Sequence, residues 1–356
     1  MKTTLSHRER VLLALNHQQT DRVPITMICS GINSPAREEL DAYLRRERGI
    51  GLAEYDAQAV DLKVVFPHYI GPALPAGTDI WGVHRSPMQS GRGTYDEIDH
   101  YPLAGVTEID DLATYHWPDP DWFDYSVIPE QIISLREEGD YASWLSVPCN
   151  PFECCWYMFG FERLFAAMVE YPELVHNLLR RVTDIMAALL QRAMEAADGQ
   201  LDLVFTADDL GGQQGLLMSL SMWEEFLKPC HQRLNAIIHA FGARVIYHSD
   251  GSVATAVPGL LDMGIDVLQA LQFDAAGMDP VDLKTRFGDR LCFAGGVSVQ
   301  KTLPFGSPED VRDEVRRLRA ILGHQGGYLL GPSHAIQADT RPENIVALFD
   351  TAMEEV

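Results

Sequence analysis

The sequence predicts an α/β protein of the (β/α)8 TIM-barrel type, with an N-terminal helix and an irregular insertion after the second strand. Three observations lead there. Eight short apolar stretches, at residues 23–29, 62–66, 141–147, 201–206, 243–247, 267–271, 291–294 and 327–330, have the length of buried parallel strands. Nearly all of them alternate with stretches of helical periodicity, the pattern of a parallel sheet wrapped by helices. The turn after the first stretch is Cys29-Ser30-Gly31-Ile32-Asn33. It is not G-x-G-x-x-G, so a doubly wound fold would lack its phosphate turn.

The elements follow in order. Ser6 stands three residues before Glu9 and ahead of the periodic Val11, Leu12, Leu13 and Leu15, the signature of a capped N-terminal helix. Asp21-Arg22 end it, and Pro24 sits near the start of the first strand. A helix runs from Ser34-Pro35 to about residue 48, with Gly49 as its stop. Residues 70–120 lack strong periodicity and carry several prolines, Gly77, Gly82, Gly91 and Gly93 among their glycines, and Asp79-Ile80-Trp81-Gly82. They read as an excursion of short strands and loops, a candidate lid rather than a second domain. Helices are expected at 128–138, 152–170, 174–197, 222–241, 253–263, 279–287, 307–322 and 341–355, with Pro229 kinking or splitting the 222–241 helix. The chain, 1–356, is expected to form a single domain.

Composition narrows the function. The 28 Lys and Arg against 51 Asp and Glu give a net charge of −23. That balance argues against nucleic acid, against anionic membrane surfaces and against a polyanionic substrate. The short acidic runs near Glu108 and from Asp119 to Asp124 are expected on the solvated surface. Six cysteines show no C-x-x-C pair, the start has no apolar signal region, and no run reaches about 18 apolar residues. A cytoplasmic protein with reduced thiols is the expectation.

In a barrel every strand end opens on one face, so residues scattered through the chain converge there. Cys29, His68, Asn150, Asp208, His248, Asp250, Gln272 and His334 all stand at such ends. His248 and Asp250 are two apart in Tyr247-His248-Ser249-Asp250-Gly251, which puts both on one face of an extended segment. With His334 they make a two-histidine, one-carboxylate set that suits Zn²⁺ or another divalent transition metal in a Lewis-acid role. A polar network around a substrate, or a capping Asp beside a packed His, is the competing reading. Asp208 and Asp209 are adjacent, so one of them enters the mouth as a general acid or base while the other caps or supports. Tyr157 either offers its hydroxyl to the mouth or packs. His68, Asn150, Gln272 and Gly295 are the remaining candidates for contact with a substrate, Gly295 through close approach of its backbone. Cys154 and Cys155 are expected to be buried structural thiols.

Taken together, several segments resemble the uroporphyrinogen decarboxylase superfamily, which also holds zinc-dependent methyltransferases that work with corrinoid proteins. They are Asp21-Arg22-Val23-Pro24, Pro151 through Tyr157-Met158-Phe159-Gly160, Asp208-Asp209, His248-Ser249-Asp250-Gly251, Phe293-Ala294-Gly295-Gly296-Val297, and His334-Ala335-Ile336 before Pro342-Glu343-Asn344. The resemblance implies a (β/α)8 barrel. Porphyrin decarboxylases carry an R-Q-A-G-R-Y segment after the first strand and an F-S-D motif after the second. Here residues 29–37 hold one arginine, Arg37, and the second motif reads Phe66-Pro67-His68. Tyr157 and His334 do match that branch. The methyltransferases place zinc on His-x-Cys and a later Cys, where this chain has His248-x-Asp250 and His334. The resemblance therefore implies a metal-dependent methyltransferase or O-demethylase. Its methyl group would come from a small methoxylated substrate and pass to a corrinoid carried by a partner protein. A decarboxylase or lyase for a small non-porphyrin acid is the first alternative, and a non-catalytic barrel that binds a ligand or corrinoid the second. A homodimer is left open.

Overall fold

Seven strands form a parallel sheet in which spatial order follows chain order. They are β1 (Leu62–Val65), β2 (Ala142–Leu145), β3 (Leu203–Ala207), β4 (Arg244–His248), β5 (Val267–Ala270), β6 (Cys292–Val297) and β7 (Tyr328–Pro332). The computed structural model describes residues 5–29 and 31–355. Residues 1–4, on which part of the expectation of no leader rests, and Ser30 of the first turn lie outside the described residues.

The stretch 23–29, expected as a full strand, is reduced to one parallel bridge between Ile25 and Leu330. The backbone still spans the gap. Thr26 N donates to Leu330 O at 2.8 Å, Leu330 N to Pro24 O at 2.8 Å, and Asp61 N to Ile25 O at 2.9 Å. This short segment therefore joins the β7 edge to the entry of β1, an arrangement consistent with an eight-position barrel. The strand stops early because Thr26 Oγ1 accepts the Ile28 N–H at 3.1 Å and turns the chain, with Cys29 at φ 52°.

Alternation sorts the strand residues into two cores. Leu62, Ala142, Leu203, Ile246, Val267, Cys292 and Leu329 pack together inside the ring, and Val11, Ala14 and Leu15 of the helix His7–Leu15 plug its floor. Their neighbours Val204, Val245, Tyr247, Leu268 and Phe293 point outward against the helices. Each fully buried aliphatic side chain contributes about 1.5–3 kcal/mol by leaving water. The plug helix begins with the expected reciprocal cap: Glu9 N donates to Ser6 Oγ at 3.1 Å and Ser6 N to Glu9 Oε2 at 2.9 Å.

Several boundaries differ from expectation. The 152–170 helix divides at Gly160 into Pro151–Phe159 and Phe161–Glu170. The 222–241 helix divides into Leu220–Phe226 and Lys228–Ala240, with Pro229 in the first turn of the second. A helix not anticipated, Leu52–Ala59, receives its N-terminal cap from a distance: Leu52 N donates to Asp41 Oδ1 at 2.8 Å. The excursion carries an antiparallel hairpin, His84–Ser90 with Gly93–His100, and the short helix Ile109–Ala113. Among the described residues no helix is long and apolar enough to cross a membrane.

Candidate functional site

A cavity of about 770 Å³ opens at the C-terminal ends of the strands. Its lining includes Cys29, Asn150, Glu153, Tyr157, Asp209, His248, Asp250 and His334. The excursion adds a wall through Asp79, Trp81, Arg85 and Tyr95. That wall is wired from within. Asp79 Oδ1 accepts from Trp81 N at 2.9 Å and Val83 N at 3.1 Å, its Oδ2 takes Arg85 Nη1 at 2.8 Å, and the Arg85 guanidinium lies 5.0 Å from the centre of the Tyr157 ring.

His248 continues the inward face set by Ile246 and is 5% exposed. Its Nδ1 meets Gln269 Oε1 at 2.5 Å, while Gln269 Nε2 donates to Ile28 O at 3.2 Å. The second bond assigns the amide, so Oε1 is an acceptor and Nδ1 carries the proton. Nε2 is thereby turned to the cavity, where Asp209 Oδ1 lies 3.6 Å away. Burial alone would lower His248; Cys29, Asp250 and Asp209 outweigh it and push it up to about 10. A field that holds a proton there also favours a divalent cation in its place.

Among the described residues, two trios bring one donor atom each within 4.8 Å of one another: Cys29, His248 and His334, and Asp209, His248 and Asp250. The sequence trio of His248, Asp250 and His334 is thus distributed over both, joined by His248. Asp250 Oδ2 and His334 Nε2 are 3.9 Å apart. Burial pushes Asp250 up, against the pull of His248 and His334. The oxygen-rich trio is assembled by two loops in contact. Gly251, at φ +78°, leaves room for Gly211, whose backbone carbonyl would lie 2.4 Å from a Cβ. Asp250 N then donates to Asp209 Oδ1 at 2.8 Å. The donor chemistry of the cluster, with imidazole, thiol and carboxylate, fits a divalent transition metal such as zinc.

The two adjacent acids separate. Asp209 continues the inward face of Leu203, Phe205 and Ala207. Asp208 points outward and does not line the cavity. It is fully buried, accepts from Phe152 N at 3.1 Å and Glu153 N at 2.8 Å, and takes His231 Nε2 at 2.6 Å. It therefore caps the helix Pro151–Phe159, which precedes it in the chain. That cap aims Glu153 into the cavity, where Asn150 Nδ2 donates to Glu153 Oε2 at 3.1 Å. Burial, then Asp208 and Asp209, push the Glu153 carboxyl up to about 7. A carboxyl poised near neutrality in a cavity is suited to moving a proton. Burial pushes the Tyr157 hydroxyl up and keeps it protonated.

Three expected contact residues lie elsewhere. Gln131 grips both backbone groups of Phe66, at 3.1 Å and 2.8 Å, ending the inner strand. His68 then leaves the ring, pairs with Asp124 and is exposed. Gln272 is buried behind the mouth and accepts from Gly251 N at 2.8 Å, so it holds the His248–Gly251 loop. Gly295, at φ +96°, serves packing: a Cβ there would sit 2.5 Å from Ala270 O and 3.1 Å from Pro332 O. Sequence reading gave no chemical role to Glu153, Cys29 or Arg85. The first could have been found from its place in the first turn after Pro151, and Cys29, already placed at the mouth by its strand-end position, from the donor chemistry of its thiol. Arg85 carries no such signal.

A family model described as uroporphyrinogen decarboxylase (URO-D) matches residues 98–355. A uroporphyrinogen decarboxylase from Xanthomonas axonopodis pv. citri is 25% identical, across 96% of this chain and 97% of its own length. One from Methylococcus capsulatus is 22% identical, across 71% of this chain and 70% of its own. Among solved structures, a methyltransferase from Methanosarcina mazei covers 98% of both chains with a TM-score of 0.65 at 20% identity. At that identity the likeness is one of fold.

Proposed function

The chain belongs to the uroporphyrinogen decarboxylase family, and from that premise we propose a metal-dependent methyltransferase. It takes a methyl group from a small methoxylated substrate and delivers it to a corrinoid held by a partner protein. The observation that carries this reading is the donor cluster around His248, with Gln269 fixing the ring so that Nε2 faces the cavity. His248, Asp250 and His334 would hold the ion. A divalent ion there supplies Lewis acidity to the ether oxygen.

The chain's own residues account for the rest. When the methyl carbon passes to the acceptor, the C–O electron pair stays on oxygen, and that oxygen needs a proton. Glu153 supplies it, because a carboxyl near pH 7 is still partly protonated under working conditions. Asn150 orients Glu153, and Tyr157 with Trp81 and Phe205 gives the substrate an aromatic wall. The mouth also selects against anions. Glu153, Asp209 and Asp250 face the cavity, and among the described residues its one lining Lys or Arg, Arg85, is already paired with Asp79. A porphyrinogen with many carboxylates meets like charge there. These points support a neutral methyl ether over the decarboxylation of an acid.

The test is product analysis with methoxylated arenes and alkyl methyl ethers, with and without a methyl-accepting corrinoid protein, alongside metal analysis. The expected result is demethylation that requires both acceptor and stoichiometric divalent metal. Release of CO₂ from a small acid with no acceptor present would overturn the methyl-transfer reading.

A further inference from the structure

The strand-one cysteine stands apart from the other cavity thiols. Cys149 and Cys154 also line the cavity, but burial holds both up, Cys149 to about 12, and neither belongs to a donor trio among the described residues. Cys29 is half-buried and lies with His248 and His334 so that one donor atom of each falls within 4.8 Å of the others. Bond lengths of about 2.0–2.3 Å to zinc place tetrahedral ligands about 3.4–3.8 Å apart, so a small rotamer adjustment brings this trio onto one ion.

The backbone presents the thiol for that purpose. Ile28 packs into the inner core, the Thr26 side chain turns the chain, and Cys29 takes φ 52°, a conformation non-glycine residues seldom adopt. The same buried amide ties the turn to the histidine: Gln269 accepts from His248 Nδ1 at 2.5 Å and donates to Ile28 O at 3.2 Å. One side chain, 1% exposed, thus sets the ring of His248 and the peptide immediately before Cys29. Coupling two donors through one rigid group is how outer residues position metal ligands.

We propose that Cys29 is a metal ligand, forming with His248 and His334 a sulfur–nitrogen–nitrogen face on which the ion rests. This rests on the metal-dependent reading above and puts a thiolate from the first strand position in its ligand set in place of the Asp250 carboxylate. A sulfur donor selects zinc or cobalt over magnesium, calcium or manganese. The Asp209 and Asp250 carboxylates then stand beside the remaining coordination position, where an incoming oxygen would bind.

The experiment is optical titration of the intact apoprotein with Co²⁺, a spectroscopic stand-in for zinc. Wild type is expected to bind one Co²⁺ and to show a near-ultraviolet thiolate-to-cobalt charge-transfer band. Cys29→Ser keeps the visible ligand-field bands, loses the charge-transfer band and binds Co²⁺ at least about tenfold more weakly. Cys149→Ser, with an unchanged circular-dichroism spectrum, keeps the band. A wild type that binds Co²⁺ without the band, or a band that survives Cys29→Ser, overturns the Cys29 assignment and leaves the metal reading standing. No stoichiometric Co²⁺ or Zn²⁺ binding in wild type overturns both.

Discussion

The floor and the mouth of the barrel each bury carboxylates, and they solve the problem in opposite ways. At the floor Asp61 is fully buried, yet His7, Arg10 and Arg22 reach it at 2.7–2.8 Å and Ile25 N donates to it at 2.6 Å. Burial pushes Asp61 up, but His7, Arg22 and Arg10 pull it further down, below the ordinary carboxylate range. At the mouth Glu153, Asp209 and Asp250 share a cavity whose one lining Lys or Arg among the described residues is Arg85, already paired with Asp79. There burial wins, and Glu153 rises to about 7. The floor brought its cations with the chain and closes the ring. The mouth is left short of positive charge, so it holds protons and favours an incoming cation. A buried carboxylate is thus structural or chemical according to whether its countercharge is built in.

The sharpest way to break this comparison is at the floor. Asp61→Asn leaves Arg22 buried without its counterion and Arg10 with Asp21 alone, and is expected to cost about 3–5 kcal/mol in urea unfolding, with metal affinity unchanged in the folded fraction. A loss of metal with little loss of stability would dissolve the division between the two regions. At the mouth, Glu153→Gln should lower turnover by about 10²- to 10⁴-fold while metal content and stability at neutral pH hold, as read by steady-state kinetics beside metal analysis. Equal losses in all three would make Glu153 a structural residue. Gln269→Leu releases both the His248 ring and the Ile28 carbonyl, and is expected to weaken metal binding by about 10- to 100-fold in competition with a chelator.

The smallest effect is in the pH dependence of stability of the metal-free protein. Glu153 is raised from 4.5 to about 7, so its contribution is fully present below 4.5 and is lost as the pH rises through about 7. Asp61 is lowered from 3.8, so its contribution is present above 3.8 and is lost as the pH falls further. Stability should therefore decline gently from pH 4.5 to 7 because of the mouth, and steeply below 3.8 because of the floor. Glu153→Gln should flatten the first arm alone. An unchanged first arm in that variant would assign it to another group.

How much of this was legible shows in particular residues. The Ser6–Glu9 cap, the Pro229 break and the Gly49 stop are local events, and the sequence placed them. His248 faces the cavity because it continues the inward face of its strand, while Asp250, two residues on and past the strand end, is brought in by the contact of the Gly211 and Gly251 loops. The same rule, run from Leu203 through Phe205 and Ala207, would have chosen Asp209 over Asp208. His68 misled because a strand end is not recognisable when its terminator, Gln131, comes from a helix far along the chain. The excursion looked formless because its hairpin, His84–Ser90 with Gly93–His100, supplies one wall of the cavity rather than part of the inner core. On the inference drawn above, the further donor Cys29 lies far from His248 in sequence, whereas Asp250 was chosen for standing two residues from it.

What the sequence determined by itself is whatever depends on spacing: the alternation of strand and helix, the caps, the inward face of each strand, and the acidity of the whole. These follow from periodicity and burial, which act over a few residues. What tertiary structure alone decided is which distant groups meet. Asp41 caps Leu52, Asp208 caps the helix that aims Glu153, and Gln269 links His248 to the turn at Cys29. Those meetings depend on the register of strands around the ring and on the contact of two glycine loops. The charges and burial they create are properties of the assembled mouth and of no single segment.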